Sequence, residues 1–465
     1  MVRANRSAIS LAIGILLTSS ACILKKPPDA ETLKKEALPT VDTLGAWKAQ
    51  GAGTGAISDN WLSTFRDDQL SAAVAEAIQH NADLRVAAAR VEQAVLYAKL
   101  AGAKLYPSVD ILARGGGKMS GDNSGLTGAA LTATWELDLW GRVRYGRAAA
   151  GADAEGAAAD FEYARQSLAA LVARSWFLVT EAALQAEVAR GTIRDGESLV
   201  GLAQTRAKVG VGNDEDVFVA RATAGTYRDT LLQIELAREQ AIRALEILLG
   251  RYPAAAVAVT SQLPGQPPSV PAGLPSELLE RRPDVVAAER RVAAAFNRIH
   301  EAKAARLPAI ALTTGVSTIS SDLFVLKERD NPIWNVGANL LMPVFRGGAL
   351  RTQVEIRTAE QKQAVAAYAA VGLRAFGEVE NALAAEFAAR QREQVLAETL
   401  ADNQRAFDVV RTQFKVGSTD LRFVTQRQLA LNATQSALIR VQAEQRVQRV
   451  NLHLALGGSF EPKKP

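Results

Sequence analysis

Between Ala129 and Arg147 the period of the chain changes. Ala129, Leu131, Ala133, Trp135, Leu137 and Leu139 alternate with Ala130, Thr132, Thr134, Glu136 and Asp138, the pattern of a strand with one oily and one wet face. At Trp140-Gly141-Arg142 the alternation gives way to an alanine-rich helical pattern that meets no proline until Pro253. The second half repeats the arrangement. Trp334, Val336, Ala338, Leu340, Met342 and Val344 alternate with Asn335, Gly337, Asn339 and Leu341, and after Phe345-Arg346-Gly347-Gly348 no proline occurs until Pro462. A two-faced strand feeding a very long helix is therefore used twice.

In chain order, residues 61–250 form a first repeat. A helical pattern from Trp61 to Ala103 stops at Tyr106-Pro107. A β-hairpin at about 107–140 follows, in which Val109, Ile111 and Ala113 alternate with Asp110, Leu112 and Arg114, and Gly115 to Gly117 and Ser120 to Asn123 make the loop. The long helix 141–209 would measure about 100 Å, and Leu168, Leu171, Val172, Ser175, Leu178, Val179 and Ala182 mark a packing seam on it. Gly210-Val211-Gly212-Asn213 turns the chain into a returning helix, 214–249. Residues 251–280, rich in proline, read as a linker. The second repeat, 281–458, holds a helix 283–306, a hairpin at about 308–344, a long helix 349–415, the turn Val416-Gly417-Ser418 and a final helix 420–456, before a tail 459–465. Asp83, Arg90, Val91 and Pro107 match Asp284, Arg291, Val292 and Pro308 at one constant offset, and Gly210 matches Gly417 with small drift.

The N-terminus changes the picture of location. Arg3 and Arg6, the apolar run Ala8 to Leu17 and Thr18-Ser19-Ser20-Ala21 make residues 1–21 a signal peptide too short to span a bilayer. The single cysteine, Cys22, follows directly, which points to lipid attachment, with Ser19 where a lipobox usually has leucine; cleavage by ordinary signal peptidase after Ala21 is the competing reading. Residues 22–60 read as an extended tether, and one acyl-modified cysteine would hold it on a lipid surface only marginally by its chains alone.

Composition mostly excludes. With 48% hydrophobic and 22% charged residues the 465-residue chain is globular, and its apolar fraction is largely alanine, which favours long, closely packed helices. A net charge of +5 spread along the helices gives no footprint for nucleic acid. His80, His300 and His453 stand apart from one another, so no metal or other cofactor is expected. Glu136 and Asp138 sit two apart with no nucleophile or histidine beside them, and lining a watery barrel mouth fits them better than acid/base work. The expected protein is not an enzyme.

Four strands of about ten residues have the length of tilted membrane-spanning strands. A sheet in a bilayer must close, and eight strands are the usual minimum. Either these strands lie on a soluble sandwich or several chains share one barrel; the signal peptide and Cys22 favour the shared barrel, with Trp135, Trp140 and Trp334 as its aromatic girdle and the alternative that they are simple core.

Trp135-Glu136-Leu137-Asp138-Leu139-Trp140-Gly141-Arg142, the run Leu274 to Asp284 (LPSELLERRPD), Leu307-Pro308, Pro343-Val344-Phe345-Arg346-Gly347-Gly348 and Lys415-Val416-Gly417-Ser418 resemble the TolC-like outer-membrane factors, and most of all their NodT-type efflux lipoprotein branch. The resemblance covers essentially the whole mature chain. It implies a homotrimer with a shared twelve-stranded barrel, four strands per chain, over a long antiparallel α-helical tunnel. It further implies a periplasmic adaptor (membrane fusion) protein and an inner-membrane RND pump as partners, and export of drugs or other small toxic compounds across the outer membrane. The exit duct of a type I protein secretion system is the alternative within the family, and a periplasmic coiled-coil scaffold without a pore is the alternative from a different class.

In that family the tunnel closes at the helix turns, here matched by Gly210 and Asn213 and by Gly417 and Ser418. Relatives carry leucine and aspartate five and nine residues after the second turn glycine, whereas this chain has Arg422 and Gln426. Three copies of Arg422 would need partners, and Asp420, Asp216 or Glu215 of a neighbouring turn are the candidates for a salt-bridged latch. The alternative is that Arg422 simply occupies a solvated helix start.

Overall fold

The computed structural model describes residues 24–41, 47–50, 57, 59–114, 127–259, 262–265, 268, 270–273, 275–320 and 333–462. Its elements are α1 (Ala30–Ala37), a 3-10 turn (Trp61–Phe65), α2 (Asp68–His80), α3 (Ala82–Ala103), β1 (Ser108–Arg114), β2 (Thr127–Glu136), α4 (Arg142–Lys208), α5 (Asp214–Leu249), α6 (Pro275–Arg281), α7 (Pro283–Ala304), β3 (Ala309–Ser320), β4 (Ile333–Leu341), α8 (Ala349–Lys415) and α9 (Leu421–Ala455). The two long helices, α4 and α8, are both 67 residues. The contacts group into two compact units, each drawing on both halves of the chain: residues 1–39, 89–160 and 284–371, and residues 40–88, 161–283 and 372–465.

The first unit holds the sheet, four antiparallel strands in the order β1-β2-β3-β4. Cross-strand partners share a face, so the register sorts every position. One row reads Ile111, Leu131, Val316, Trp334, and the next row on the other face reads Asp110, Thr132, Gly315, Asn335. Ion pairs from α4 to α7 hold the same unit, Asp153 to Arg298 and Asp160 to Arg291. Burial pushes both carboxyls above the ordinary carboxylate range despite the arginines.

The second unit holds a core around Trp61, Phe65, Leu70, Val172, Phe177, Leu245, Leu249 and Val450. Three features depart from the sequence expectation. The helix expected across Trp61 to Ala103 is three pieces, since Arg66 in the left-handed region ends the 3-10 turn and Asn81 divides the rest: the Asn81 Oδ1 accepts from Leu84 N (3.0 Å) while its Nδ2 donates to the Leu248 carbonyl (3.0 Å), so the side chain caps one helix and ties down another. Gly250 ends α5 at φ +75°, where a β-carbon would stand 2.7 Å from the His80 carbonyl oxygen. In the first unit, the tether is not wholly extended, since Asp29 accepts from Thr32 N (2.8 Å), starting α1 and burying Leu33. Within 251–280, Pro275 to Arg281 is helical, with Pro283 starting α7 at a position that needs no N–H donor.

The ERRPD run is the tie of the second unit to its own C-terminal end. Arg282 is only 1% exposed and donates to Glu378 (2.7 Å) and to the Ala455 carbonyl (3.1 Å), and Arg281 pairs with Asp59. A buried guanidinium is tolerable only with this degree of partnering.

Candidate functional site

Two places could act in conduction, the sheet in the first unit and the helix turns in the second. On the sheet, the apolar face is largely uncovered in the chain: Ile111 is 78% exposed, Val336 88% and Trp334 75%. Neither β1 nor β4 has a second strand partner among the described residues, so both outer edges carry unpaired backbone groups. Trp135 Nε1 donates to the Leu105 carbonyl (2.9 Å) and Trp140 Nε1 to the Pro308 carbonyl (2.8 Å), which places both indoles at the ends of the strands with their polar edge satisfied. Trp334 lies out on the apolar face.

At the end of β2 the structure corrects one expectation. The strand stops at Glu136, and Asp138 is not on its wet face. Asp138 sits in the left-handed region at φ 44°, and its carboxylate accepts from the amides of Val143 (2.8 Å) and Arg144 (2.9 Å), the first turn of α4. Glu136 takes a bidentate grip from Arg142 (3.1 and 2.5 Å). The two carboxylates build the change of direction from strand to helix. The sequence signal was present, an acid just ahead of a helical period, but the alternation of apolar residues through Leu139 masked it.

At the turns, Gly210 (φ +77°) and Gly417 (φ +83°) take conformations that a β-carbon resists. Asn213 caps α5 by accepting from Asp216 N (2.7 Å), and Ser418 donates back to the Gln413 carbonyl (3.1 Å). Arg206 ties the two turns. Its Nη1 donates to the Phe414 carbonyl (2.5 Å), its Nη2 to the Val211 carbonyl (3.1 Å), and its guanidinium lies 4.6 Å from the Phe414 ring centroid. Below it Phe407, Phe414, Leu421, Val424 and Val217 pack together. Nothing in the sequence marks Arg206 off from other late-helix arginines.

The proposed latch residues are all at the surface. Arg422 and Gln426 are exposed on α9, Asp420 is its N-cap residue without a side-chain cap bond, and Glu215 is exposed beside half-buried Asp216 at the start of α5. Among the described residues no ion pair joins Arg422 to Asp420, Asp216 or Glu215 within one chain. Arg422 also stands in the first turn of α9, where the helix dipole disfavours a cation. Cys22 and the hairpin loops at Gly115 to Asn123 and Ser321-Asp322 lie outside the described residues.

The comparisons with known proteins bear on this geometry. The family model described as "Outer membrane efflux protein" matches residues 73–251 and 274–458. The chain belongs to the outer membrane efflux protein family. Relatives of this efflux component include the cation efflux system protein CusC of Escherichia coli, 30% identical over 413 residues covering 86% of this chain and 88% of that one. The pyoverdine export outer membrane protein OpmQ of Pseudomonas aeruginosa is 30% identical over 441 residues, 89% of this chain and 91% of its own. Among solved structures, the outer-membrane channel OprN superimposes with a TM-score of 0.81 at 26% identity, covering 90% of this chain and 98% of that one. The strands of this efflux protein are accordingly those of an outer-membrane channel.

Proposed function

We propose that three copies of this chain close one twelve-stranded barrel and that the assembly conducts drugs or other small toxic compounds outward from a periplasmic adaptor and an inner-membrane RND pump. The observation that carries the reading is the pair of open edges on a sheet with one continuous apolar face. In hydrocarbon each unpaired edge group costs several kcal/mol, and four strands cannot curl far enough to remove the edges. Pairing β4 of one copy with β1 of the next removes all of them, and the row from Ile111 to Trp334 then faces lipid while the row from Asp110 to Asn335 faces water.

The channel performs no chemistry in this reading, and the energy comes from the inner-membrane partner. Cys22 adds a lipid tether at the outer membrane. The latch is intersubunit: Arg422 of each copy meets Asp420, Asp216 or Glu215 of its neighbour. The absence of a partner within the chain among the described residues, together with the poor place of a cation at a helix start, supports it. Relatives of equal similarity bear the names of cation efflux and of pyoverdine export, so the cargo is assigned by class alone.

Protein purified from outer membranes in detergent, sized by light scattering with the detergent subtracted and then placed in a planar bilayer, tests the reading. A trimer with discrete conductance is expected. A monomer that stays soluble without detergent and conducts nothing would overturn it.

A further inference from the structure

Within the first unit the N-terminal tether is fastened next to the ends of the strands. Leu24 packs on Gly141, where a β-carbon would come 2.8 Å from Leu24 Cδ2, so the glycine of the strand-to-helix turn makes room for it. The Lys25 amide donates to the Tyr145 hydroxyl (2.9 Å), and the Tyr145 ring stacks on His300 of α7, their centroids 5.1 Å apart. Tether, start of α4 and end of α7 therefore meet at one place. It belongs to the central strands, since α4 follows β2 and α7 leads into β3, and not to the β1 and β4 edges at which neighbouring copies would pair.

Three exposed lysines gather there, Lys25 and Lys26 on the tether and Lys303 in the last turn of α7. None of them makes an ion pair among the described residues. The carboxylates next to them in sequence are engaged elsewhere: Asp29 caps α1 through Thr32 N (2.8 Å), and Glu301 is turned to Gly146 and acts on Arg142. Burial, and then the charges of Lys303 and Lys25, push the His300 pKa down, which puts both ammonium groups near one ring. Depth matters as well. A helical turn rises 5.4 Å, about the thickness of the headgroup layer on either side of ~30 Å of hydrocarbon. Tyr145 in the first turn of α4 and Lys303 in the last turn of α7 thus stand at headgroup level when the strands span the bilayer.

We propose that Lys25, Lys26 and Lys303 form a site for the headgroup phosphate of an anionic phospholipid in the periplasmic leaflet, beside the tether and where the sheet gives way to helices. The inference rests on the reading of Cys22 as the lipid tether. Two residues of chain span at most about 7 Å, so an acylated Cys22 brings the leaflet to Leu24 and sets the side of the sheet that the lysines face. One acyl-modified cysteine holds a bilayer only marginally, and a basic patch is its usual complement. Three lysines without carboxylate partners favour a lipid of net negative charge over a zwitterionic one, whose own ammonium offsets the phosphate. All of the residues belong to one unit of one chain.

Native mass spectrometry of the full-length protein in detergent, titrated with phosphatidylglycerol, phosphatidylcholine or glycerol 3-phosphate, counts what binds. Saturable binding of phosphatidylglycerol is expected, with the other two weaker by at least about fivefold, the share of a single lysine. Lys25→Gln, Lys26→Gln and Lys303→Gln together should weaken phosphatidylglycerol by about a hundredfold, roughly fivefold for each. All three side chains are exposed, so this variant should keep the melting temperature of the parent. A charge-matched control, Lys208→Gln with Lys362→Gln and Lys415→Gln on exposed positions of α4 and α8, should bind as the parent does. Phosphatidylcholine or glycerol 3-phosphate bound as tightly as phosphatidylglycerol, equal affinity in the patch variant, or an equal loss in the control would each overturn the proposal. The same spectra weigh the N-terminus, so failure of the tether reading and failure of the lipid site are separate results.

Discussion

The guanidinium of Arg206 lies over the ring of Phe414 and donates to that residue's own carbonyl oxygen at 2.5 Å, so that one side chain of α4 fastens the end of α8. The same group holds the Val211 carbonyl of its own turn. Lysine cannot serve both carbonyls and stack as well. Arg206→Lys should therefore loosen both turns without unfolding the protein. Amide hydrogen exchange at 209–213 and 415–419 is expected to rise about tenfold, the equivalent of ~1.4 kcal/mol, with exchange in β2 and β3 unchanged.

The latch predicts a functional effect without a loss of stability. Because Arg422 opposes the dipole of α9 and makes no ion pair within the chain among the described residues, Arg422→Ala should leave the melting temperature the same or slightly higher. Passive entry of a bulky drug into cells, or open probability in a planar bilayer, should rise by about tenfold if the closed trimer loses ~1.4 kcal/mol in all. Unchanged entry would leave Arg422 as a solvated helix-start residue.

The turn from β2 to α4 depends on Asp138. Its carboxylate satisfies two amides at the start of a 67-residue helix from a residue with positive φ. Asp138→Ala should cost about 2 kcal/mol, the upper end for a lost cap, and Asp138→Asn, which keeps an acceptor and tolerates that backbone, well under half as much. Thermal unfolding of the two variants side by side measures the difference.

His453 gives the second unit a pH dependence. It is buried against Trp61, the rings stacked 5.8 Å apart, and burial, then Arg449, lowers its pKa from the ordinary 6.5 to about 3. The unfolded chain takes up a proton below pH 6.5 that the folded chain refuses until about pH 3. The stabilisation from a neutral His453 is thus complete above pH 6.5 and is lost as the pH falls, by ~1.4 kcal/mol per pH unit across that window. The stability of His453→Gln, measured from about pH 7 to about pH 4, should fall less steeply than that of the parent protein.

Arg449 and Glu386 make a buried pair between α9 and α8, with Nη2 2.5 Å from Oε1 and Nε 3.2 Å from Oε2. Removing Glu386 strands the buried Arg449 charge, whereas Glu386 keeps Arg390 (2.9 Å) when Arg449 is removed. Glu386→Gln should cost about 3–5 kcal/mol and Arg449→Met less, and the double replacement less than the sum. Denaturant midpoints of the three variants form the cycle.

The starts of α5 and α8 lie where Gly210, Asn213, Gly347 and Gly348 punctuate a pattern whose period is set by the helix itself. The two faces of the strands were legible for the same reason: alternation is a property of one strand and needs no neighbour. That β2 pairs with β3, and that the rows from Ile111 to Trp334 and from Asp110 to Asn335 each run unbroken across all four strands, was decided only by the fold, since this register is a relation between segments of different repeats. So was the work of individual polar side chains. Asn81 and Arg206 are ordinary residues in sequence, and each acquires its role from a carbonyl brought to it from elsewhere in its unit. Periodicity reports the local free energy of one element against water or oil, whereas a buried hydrogen-bonding group reports a meeting that only tertiary packing can arrange.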